Sequence, residues 1–384
     1  MKHNFRIIIG MLALAIPLCV SAQNDVQQQV NELKGKVDRM PKISGFVQGM
    51  YQANLDDKGA LKDNTLRMRR VRMSVEGTLF KGLTYKIQGD FTRSPMLVDG
   101  FLKYKPCNEF AIQVGQFKTP FSIESPINPV NLEIFDYGEI IQKLVGYSDV
   151  CGVGSLGRDL GIMATGSLFP VEMQNGEKFG IVDYSIGLFN GNGANALDNN
   201  NRKDLVGRLD IHPGLKNLTL SGSYYYGKYK KDDINNGSRD RWAVGAQYND
   251  GDLVLRAEYI NGFTGYQVAA FNDSLPALDD QGNQVFVESL RNSKGYYAVA
   301  GYNFKLGKDK SQKLMPVLRY EHYAPGDINS VVYGESNFYT VGINYWPLKS
   351  VNLKVDYSFI QEGNVGDPDT NNKHRVVAIL SYKF

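Results

Sequence analysis

Residues 69–80 read RRVRMSVEGTLF, and polar and apolar side chains alternate along this stretch. The apolar positions are Val71, Met73, Val75 and Leu79, and the polar positions between them are Arg70, Arg72, Ser74 and Glu76. A period of two is typical of a β-strand whose two faces meet different surroundings. The stretch also has the length, roughly 9–12 residues, that a tilted strand needs to cross a bilayer.

The same period recurs to the end of the chain and predicts sixteen strands. They are residues 43–54, 65–80, 83–93, 97–106, 110–121, 160–169, 179–190, 205–213, 218–229, 240–249, 253–263, 293–304, 313–323, 336–346, 351–361 and 374–384. A soluble β-sandwich shows the same alternation, so the choice between sandwich and membrane barrel needs further signals.

Three signals favour the membrane barrel. Long and short connections mostly alternate, for example residues 55–64 against Lys81-Gly82, as in outer-membrane barrels. Aromatic residues lie near the strand ends, where interfacial girdles form, and the chain ends on Phe384. Those aromatics are Tyr224, Tyr225, Tyr226, Tyr229, Trp242, Tyr248, Tyr259, Tyr320, Tyr323, Tyr339, Tyr345 and Trp346. We therefore expect an all-β, 16-stranded antiparallel transmembrane β-barrel over residues 43–384.

Two segments precede the predicted barrel. Residues 1–22 combine Lys2 and Arg6, an apolar run and small residues before Gln23, which predicts a cleaved signal peptide. Residues 23–42 space Val26, Val30, Leu33 and Val37 at intervals of 4, 3 and 4. This spacing predicts a short N-terminal periplasmic helix, either a loosely helical linker or a coiled coil that assists trimerisation.

Composition excludes several function classes. The chain has 43 Lys and Arg against 40 Asp and Glu, and loss of Lys2 and Arg6 lowers the formal charge from +3 to +1. That balance lacks the basic excess of nucleic-acid-binding proteins. Cys107 and Cys151, the two cysteines after the signal, form no CxxC motif. We expect no metal and no cofactor.

Two stretches resemble the phosphate-selective porin O and P family. One is RRVRMSVEG at residues 69–77 with YKIQGDF at 85–91, and the other is VGQFKTPF at 114–121. The resemblance implies a homotrimer of 16-stranded barrels whose third loop folds inward, and anion passage along arginines. The 38-residue connection 122–159 follows the fifth strand, which is where such a constriction loop belongs.

Alternation assigns a set of basic side chains to the lumen, where they line the pore and are candidates to contact anions. They are Arg70, Arg72, Lys86, Lys103, Arg208, Arg256, Arg319, Lys354 and Arg375. The constriction-loop candidates are Glu124, Glu133, Asp136, Glu139, Lys143 and Arg158. Guanidinium groups suit phosphate because they donate two parallel hydrogen bonds. Arg70 and Arg72 are the first choice, since they share one face inside the family motif.

Acidic side chains limit how strongly this pore can prefer anions. The predicted lumen face also carries Glu76, Asp90, Asp99, Asp210, Glu258, Glu321 and Asp356. With Asp149 and Asp159 added, the loop candidates hold six acids against Lys143 and Arg158, so the loop is acidic. The basic wall residues either pair with these acids or attract anions, and the sequence leaves both readings open.

We therefore expect a porin of the bacterial outer membrane that passes small hydrophilic solutes or ions, with an anion or phosphate preference. Its partners would be outer-membrane lipids, two further copies of the chain and small anions such as phosphate, with no nucleic acid. A lipase is the enzyme alternative, but no GxSxG motif occurs and His212, His322 and His374 are the histidines left after processing. A surface receptor or adhesin without an open channel is the other alternative.

Overall fold

A computed structural model describes residues 40–173, 176–230, 236–269, 271–272, 275–276, 281–308, 310–327, 333–364 and 370–384. Sixteen long antiparallel strands form one sheet, and pairing of the first strand with the last closes it into a barrel. The strands are β1 (Lys42–Leu55), β2 (Leu61–Phe80), β3 (Leu83–Asp90), β4 (Leu97–Tyr104), β5 (Ala111–Lys118), β6 (Arg158–Glu172), β7 (Lys178–Phe189), β8 (Asp204–Ile211), β9 (Leu218–Lys230), β10 (Asn236–Asn249), β11 (Leu253–Ala269), β12 (Phe286–Tyr302), β13 (Gln312–Ala324), β14 (Ser336–Leu348), β15 (Val351–Gly363) and β16 (Thr370–Lys383).

Short elements complete the described chain. Phe304–Leu306 pairs with the start of β13, and Phe271–Asn272 pairs with Leu275–Pro276 outside the barrel. Between β5 and β6 lie a 3-10 turn, Pro129–Asn131, and the helix α1, Glu139–Leu144. Within the described part of the chain, no helix is both long enough and apolar enough to cross a membrane.

The strands expose apolar side chains and bury charged ones. On β15, Val355 is 53% exposed, whereas its neighbours Lys354 and Asp356 are 3% and 1% exposed. A soluble β-sandwich would bury the apolar face instead, because apolar burial drives its folding. The reversed arrangement fits a barrel with lipid outside and a polar lumen, and it confirms the predicted fold class.

Connections on one side of the barrel are longer than those on the other. The longest, residues 119–157, joins β5 to β6, whereas β2 and β3 are joined on the opposite side by Lys81 and Gly82 alone. Gly82 has a φ of +87°, a conformation that a two-residue hairpin demands and that glycine supplies without strain. We call the two ends of the barrel the long-loop side and the short-turn side.

Several expectations need revision. Arg158, expected in the loop, is the first residue of β6, so the loop spans residues 119–157 instead of 122–159. Four aromatics expected in the interfacial girdles fall on the buried, lumen-facing side of their strands: Tyr225, Tyr229, Tyr323 and Trp346. The predicted signal peptide and nearly all of the predicted N-terminal helix, residues 1–39, lie outside the described residues.

The two faces of β7 give a direct test of this orientation. Ile186 faces outward and is 49% exposed, whereas Ser185 is on the lumen side. We expect Ile186→Arg to lower the free energy of unfolding in a bilayer by about 2–4 kcal/mol, because it places a charge in hydrocarbon. Ser185→Arg is the matched control and should cost much less. Urea unfolding in phospholipid vesicles measures both, and equal costs would contradict the assignment of faces.

Candidate functional site

Residues 119–157, which we call the constriction loop, lie inside the barrel against its inner wall. The apolar side of α1 consists of Ile140, Ile141 and Leu144, all fully buried. These side chains share one core cluster with lumen-facing wall residues such as Ile260 on β11 and Tyr297 on β12. Apolar packing thus holds the middle of the loop against one sector of the wall.

Wall carboxylates bind backbone N–H groups of the loop. Glu321 on β13 accepts a hydrogen bond from Ile140 N at 2.6 Å, in the first turn of α1. Glu258 on β11 accepts bonds from Ile123 N and Ser122 Oγ, each at 2.8 Å. These acids satisfy loop donors that would otherwise be buried without partners.

Gly138, directly before α1, allows the closest approach of loop to wall. A Cβ at this position would lie 2.0 Å from Arg319 Nη2 and 2.1 Å from Glu321 Oε2. Its φ of −65° is open to any residue, so the requirement for glycine here is one of space.

Glu124 is the most enclosed acid of the loop, with no exposed surface. Its Oε2 accepts hydrogen bonds from Arg319 Nη1 at 2.6 Å and from Arg256 Nη1 at 3.2 Å. Arg256 also binds Glu133 through Nη2 at 2.6 Å. Two of the predicted anion-contact arginines therefore bind loop carboxylates.

A β-bulge brings two arginines to Asp136 on the other side of the loop. Gln48 of β1 pairs with Arg70, but the next residue, Gly49, pairs with Met68, so Arg69 is an extra residue on β2. Such a residue interrupts the alternation of faces. Asp136 consequently binds Arg69 Nη2 as well as Arg70 Nη2, the latter at 2.7 Å.

Three more predicted basic residues pair with acids of the wall. Arg72 binds Asp90 at 2.8 Å, Arg158 binds Asp99 at 2.7 Å, and Arg208 binds Asp210 at 2.8 Å. Lys86 also pairs with an acid, Glu76, near the short-turn end of β3. On α1, Glu139 and Lys143 form a half-buried pair four residues apart.

The remaining predicted cations bind no carboxylate in the part of the chain that the structure describes. Lys354 Nζ donates to the loop carbonyls of Leu132 and Ile134, the latter at 2.8 Å. The Arg375 guanidinium lies 4.5 Å from the centre of the Phe135 ring. Lys103, on the lumen side of β4, is half-buried. All three side chains lie on the inward face of their strands, and their role in lining the pore and contacting anions stays a prediction.

Arg239 and Arg241 on β10 are functional candidates that the alternation analysis missed. Arg241 binds both oxygens of the loop residue Asp149, at 2.5 and 2.7 Å. Arg239 binds Asp204 at 2.5 Å and the carbonyl of Gly191 at 2.9 Å. The pattern that could have found them is their spacing of two on a strand, as for Arg70 and Arg72.

Burial and neighbouring arginines shift the pKa values of the loop acids in opposite directions. Burial disfavours the charged form of Glu124, but Arg319 and Arg256 outweigh it and lower the pKa below its ordinary 4.5. Asp136 is also buried, and Arg70 and Arg69 lower its pKa below 3.8. Both loop carboxylates are therefore charged at neutral pH.

One cavity gathers arginines near the long-loop side. It has a volume of about 370 Å³. It is lined by β2, by the long-loop end of β3 with the residues that follow it, and by the loop residue Leu156. Its arginines are Arg67, Arg69, Arg70, Arg72 and Arg93. Asp136 and Asp90 neutralise part of this charge. Within the described residues, Arg67 and Arg93 form no ion pair.

A second basic cavity opens at the short-turn end of the lumen, with a volume of about 520 Å³. It is lined by Trp346 and by four lysines at strand ends or in turns, with Glu133 as its one acid among the described residues. The lysines are Lys310, Lys313, Lys349 and Lys383. Positive charge therefore occurs on both sides of the constriction loop.

Residues 42–384 match the model of the family described as "Phosphate-selective porin O and P". No curated protein sequence matches the chain.

Solved porin structures share the fold. The anion-selective porin from Comamonas acidovorans superposes with a TM-score of 0.61 at 14% identity, covering 90% of this chain and 99% of that one. OmpF of Salmonella typhi, in complex with daunomycin, gives 0.57 at 14% identity over 90% and 98% of the chains. The trimer form of Vibrio cholerae OmpT gives 0.54 at 13% identity over 90% and 99%. At these identities the likeness supports the fold.

The depressed pKa values predict how acid affects the loop. A group whose pKa is lowered in the folded state stabilises that state above its ordinary pKa and loses this effect as the pH falls through the folded value. For Glu124 and Asp136 that loss lies below the ordinary values of 4.5 and 3.8. We expect the difference in single-channel conductance between the wild type and Glu124→Gln to be constant from about pH 7 to pH 5 and to shrink below about pH 4, where Glu124 becomes protonated. A change in this difference between about pH 5 and pH 7 would contradict the depressed pKa of Glu124.

Proposed function

The chain belongs to the phosphate-selective porin O and P family, and on that premise we propose that small anions, phosphate among them, are its preferred solutes. It is an outer-membrane channel for passive diffusion. The observation that carries the proposal is the arginine-lined cavity between β2, β3 and the constriction loop.

The charge balance of that cavity favours anions. Five guanidinium groups lie against two carboxylates, Asp90 and Asp136, so three positive charges are in excess. In a narrow pore, donors of this kind replace part of the hydration shell of an anion. Arg67 and Arg93 are the strongest candidates for contact with solutes, because no ion pair within the described chain occupies their guanidinium groups.

The acidic loop opposes anion entry less than its composition indicates. Glu124, Glu133, Asp136 and Asp149 each bind an arginine. Their charges are therefore neutralised locally and contribute little to the field along the pore. The lysines at the short-turn mouth extend the positive potential past the constriction. These balances support a moderate anion preference over a strict phosphate filter.

We also propose the finer assignments that the comparisons leave untested. Residues 1–22 act as a cleaved signal peptide, and residues 23–39 form a helical periplasmic segment ahead of β1, which begins at Lys42. Three copies assemble, as in the trimer form of OmpT. The constriction loop narrows the pore, which acts as a channel and not as an enzyme.

The test neutralises Arg67 and Arg93. We expect Arg67→Gln with Arg93→Gln to lower the anion-to-cation permeability ratio severalfold, because removal of two fixed charges weakens the local potential. Reversal potentials of the refolded protein in a planar bilayer under a salt gradient measure this ratio. Added phosphate should reduce the chloride current of the wild type more than that of the variant.

The matched control is Lys58→Gln with Lys62→Gln, which removes the same charge from exposed positions outside the cavity. We expect this control to retain the wild-type ratio. Equal effects of the two pairs would mean that net charge, and not the cavity, sets selectivity.

Unchanged selectivity after Arg70→Ala plus Arg72→Ala would contradict any role of these two predicted arginines in selectivity. Failure of the wild type to conduct would favour the receptor or adhesin alternative.

A further inference from the structure

The connection between β7 and β8, residues 190–203, packs on the constriction loop. We call it the strap. At Gly193 the approach is so close that a Cβ would lie 2.2 Å from Ser155 Oγ and 3.0 Å from Ser155 Cβ. The φ of Gly193 is +84°, which also favours glycine. The strap therefore rests on the return arm of the constriction loop, residues 153–157.

The far part of the strap is fixed to the ends of β4 and β5. Asn195 N donates to Gln116 Oε1 at 2.7 Å, and Asn195 Nδ2 donates to the carbonyl of Leu97 at 2.9 Å. Asn195 has a φ of +58°, a conformation that asparagine tolerates better than most residues. The strap thus spans from the β7–β8 end to the β4–β5 end and crosses the root of the constriction loop.

Arg239 on β10 connects the strap to the constriction loop. Its guanidinium donates to the Gly191 carbonyl of the strap at 2.9 Å, and its Nη1 lies 3.7 Å from Sγ of Cys151 in the constriction loop. Gly191 N donates in turn to Asp159 Oδ2 on β6 at 2.7 Å. Neither loop can shift here without disturbing the other.

We propose that the strap is a second element of the pore, which positions the constriction loop and thereby sets the limiting width of the channel. Gly193 and Asn195 are its positioning residues. The constriction loop is anchored elsewhere by Glu124 and Asp136. Its return arm is held from within the loop by backbone bonds of Ser155 and Gly157 to the Gly146 carbonyl, and the strap packs on it at Ser155. Loss of the strap contacts loosens this arm, whereas the arginine cavity keeps its charge.

The experiment is Gly193→Ala in the full-length protein, recorded in planar bilayers. The added methyl group clashes with Ser155 and lifts the strap, so we expect single-channel conductance to rise by roughly 1.5-fold with more open-channel noise. The anion-to-cation permeability ratio should stay near that of the wild type. Conductance therefore reports on the strap, and the reversal potential reports separately on the proposed anion preference.

Gly59→Ala is the matched control, since Gly59 has a φ of +79° on the same side of the barrel and no atom within 4 Å of its added Cβ. It shares the backbone strain and lacks the clash, so it should conduct like the wild type. The double variant Gly193→Ala with Ser155→Gly lacks the clashing side chain, so its conductance should return most of the way to the wild-type value. Equal conductance of Gly193→Ala and Gly59→Ala would overturn the proposal. A double variant that conducts like Gly193→Ala would also overturn it.

A second variant serves if Gly193→Ala does not reach the folded barrel. Asn195→Gly retains the positive φ and the N–H donor and loses only the amide bond to Leu97. We expect it to raise conductance and noise in the same direction. Asn371→Gly is its control, because Asn371 is exposed, lines neither cavity, and loses a comparable amide bond to Asn364 Oδ1 at 2.7 Å. Wild-type conductance of Asn195→Gly would then overturn the proposal.

Discussion

The inner wall of this barrel is polar, so its constriction loop is fixed by ion pairs as well as by apolar packing. Glu124, without exposed surface, lies between Arg256 and Arg319. A buried charge without a partner is far more costly than a buried pair, so displacement of the loop would separate Glu124 and Glu133 from Arg256, while Arg319 would keep Glu321 on the wall. The wall acids Glu258 and Glu321 add to this constraint by accepting loop N–H groups. The position of the loop, and with it the shape of the pore, depends on these contacts.

The same contacts give the wall two sectors that differ in net charge. The acids of the loop bind arginines of β10, β11 and β13, which neutralises that sector. On β2 and β3 the loop supplies one acid, Asp136, against the five arginines of the cavity. Opposite charges at short range cancel each other's field at a distance, so an ion in the pore senses mainly the unneutralised sector. An acidic loop is in this way compatible with an anion-preferring channel.

The number of strands could be predicted from a period of two, because lipid and water impose different polarity on the two faces of each strand. The bulge at Arg69 could not be predicted. A bulge is a shift in register between two paired strands, and the sequence of β2 alone does not show how it pairs with β1. Val377 and Ile379 on β16 also obscure the alternation of polar and apolar residues, because both are apolar and lie on the buried face of the strand. They face inward and pack with Met50 against Phe135 of the constriction loop. Which wall residues a loop covers depends on tertiary packing, which the local sequence does not encode.

The basic residues of the lumen therefore have different functions, and Arg67 and Arg93 among them were not in the predicted set. Arg256, Arg319 and Lys354 bind the loop, so their replacement changes the position of the loop and the charge of the pore together. Arg67 and Arg93 bind no acid within the described chain, so their replacement changes charge alone. Arg69 and Arg70 serve both functions, because they line the cavity and bind Asp136 of the loop. Replacement of Arg67 and Arg93 can therefore alter the anion preference without a remodelled constriction.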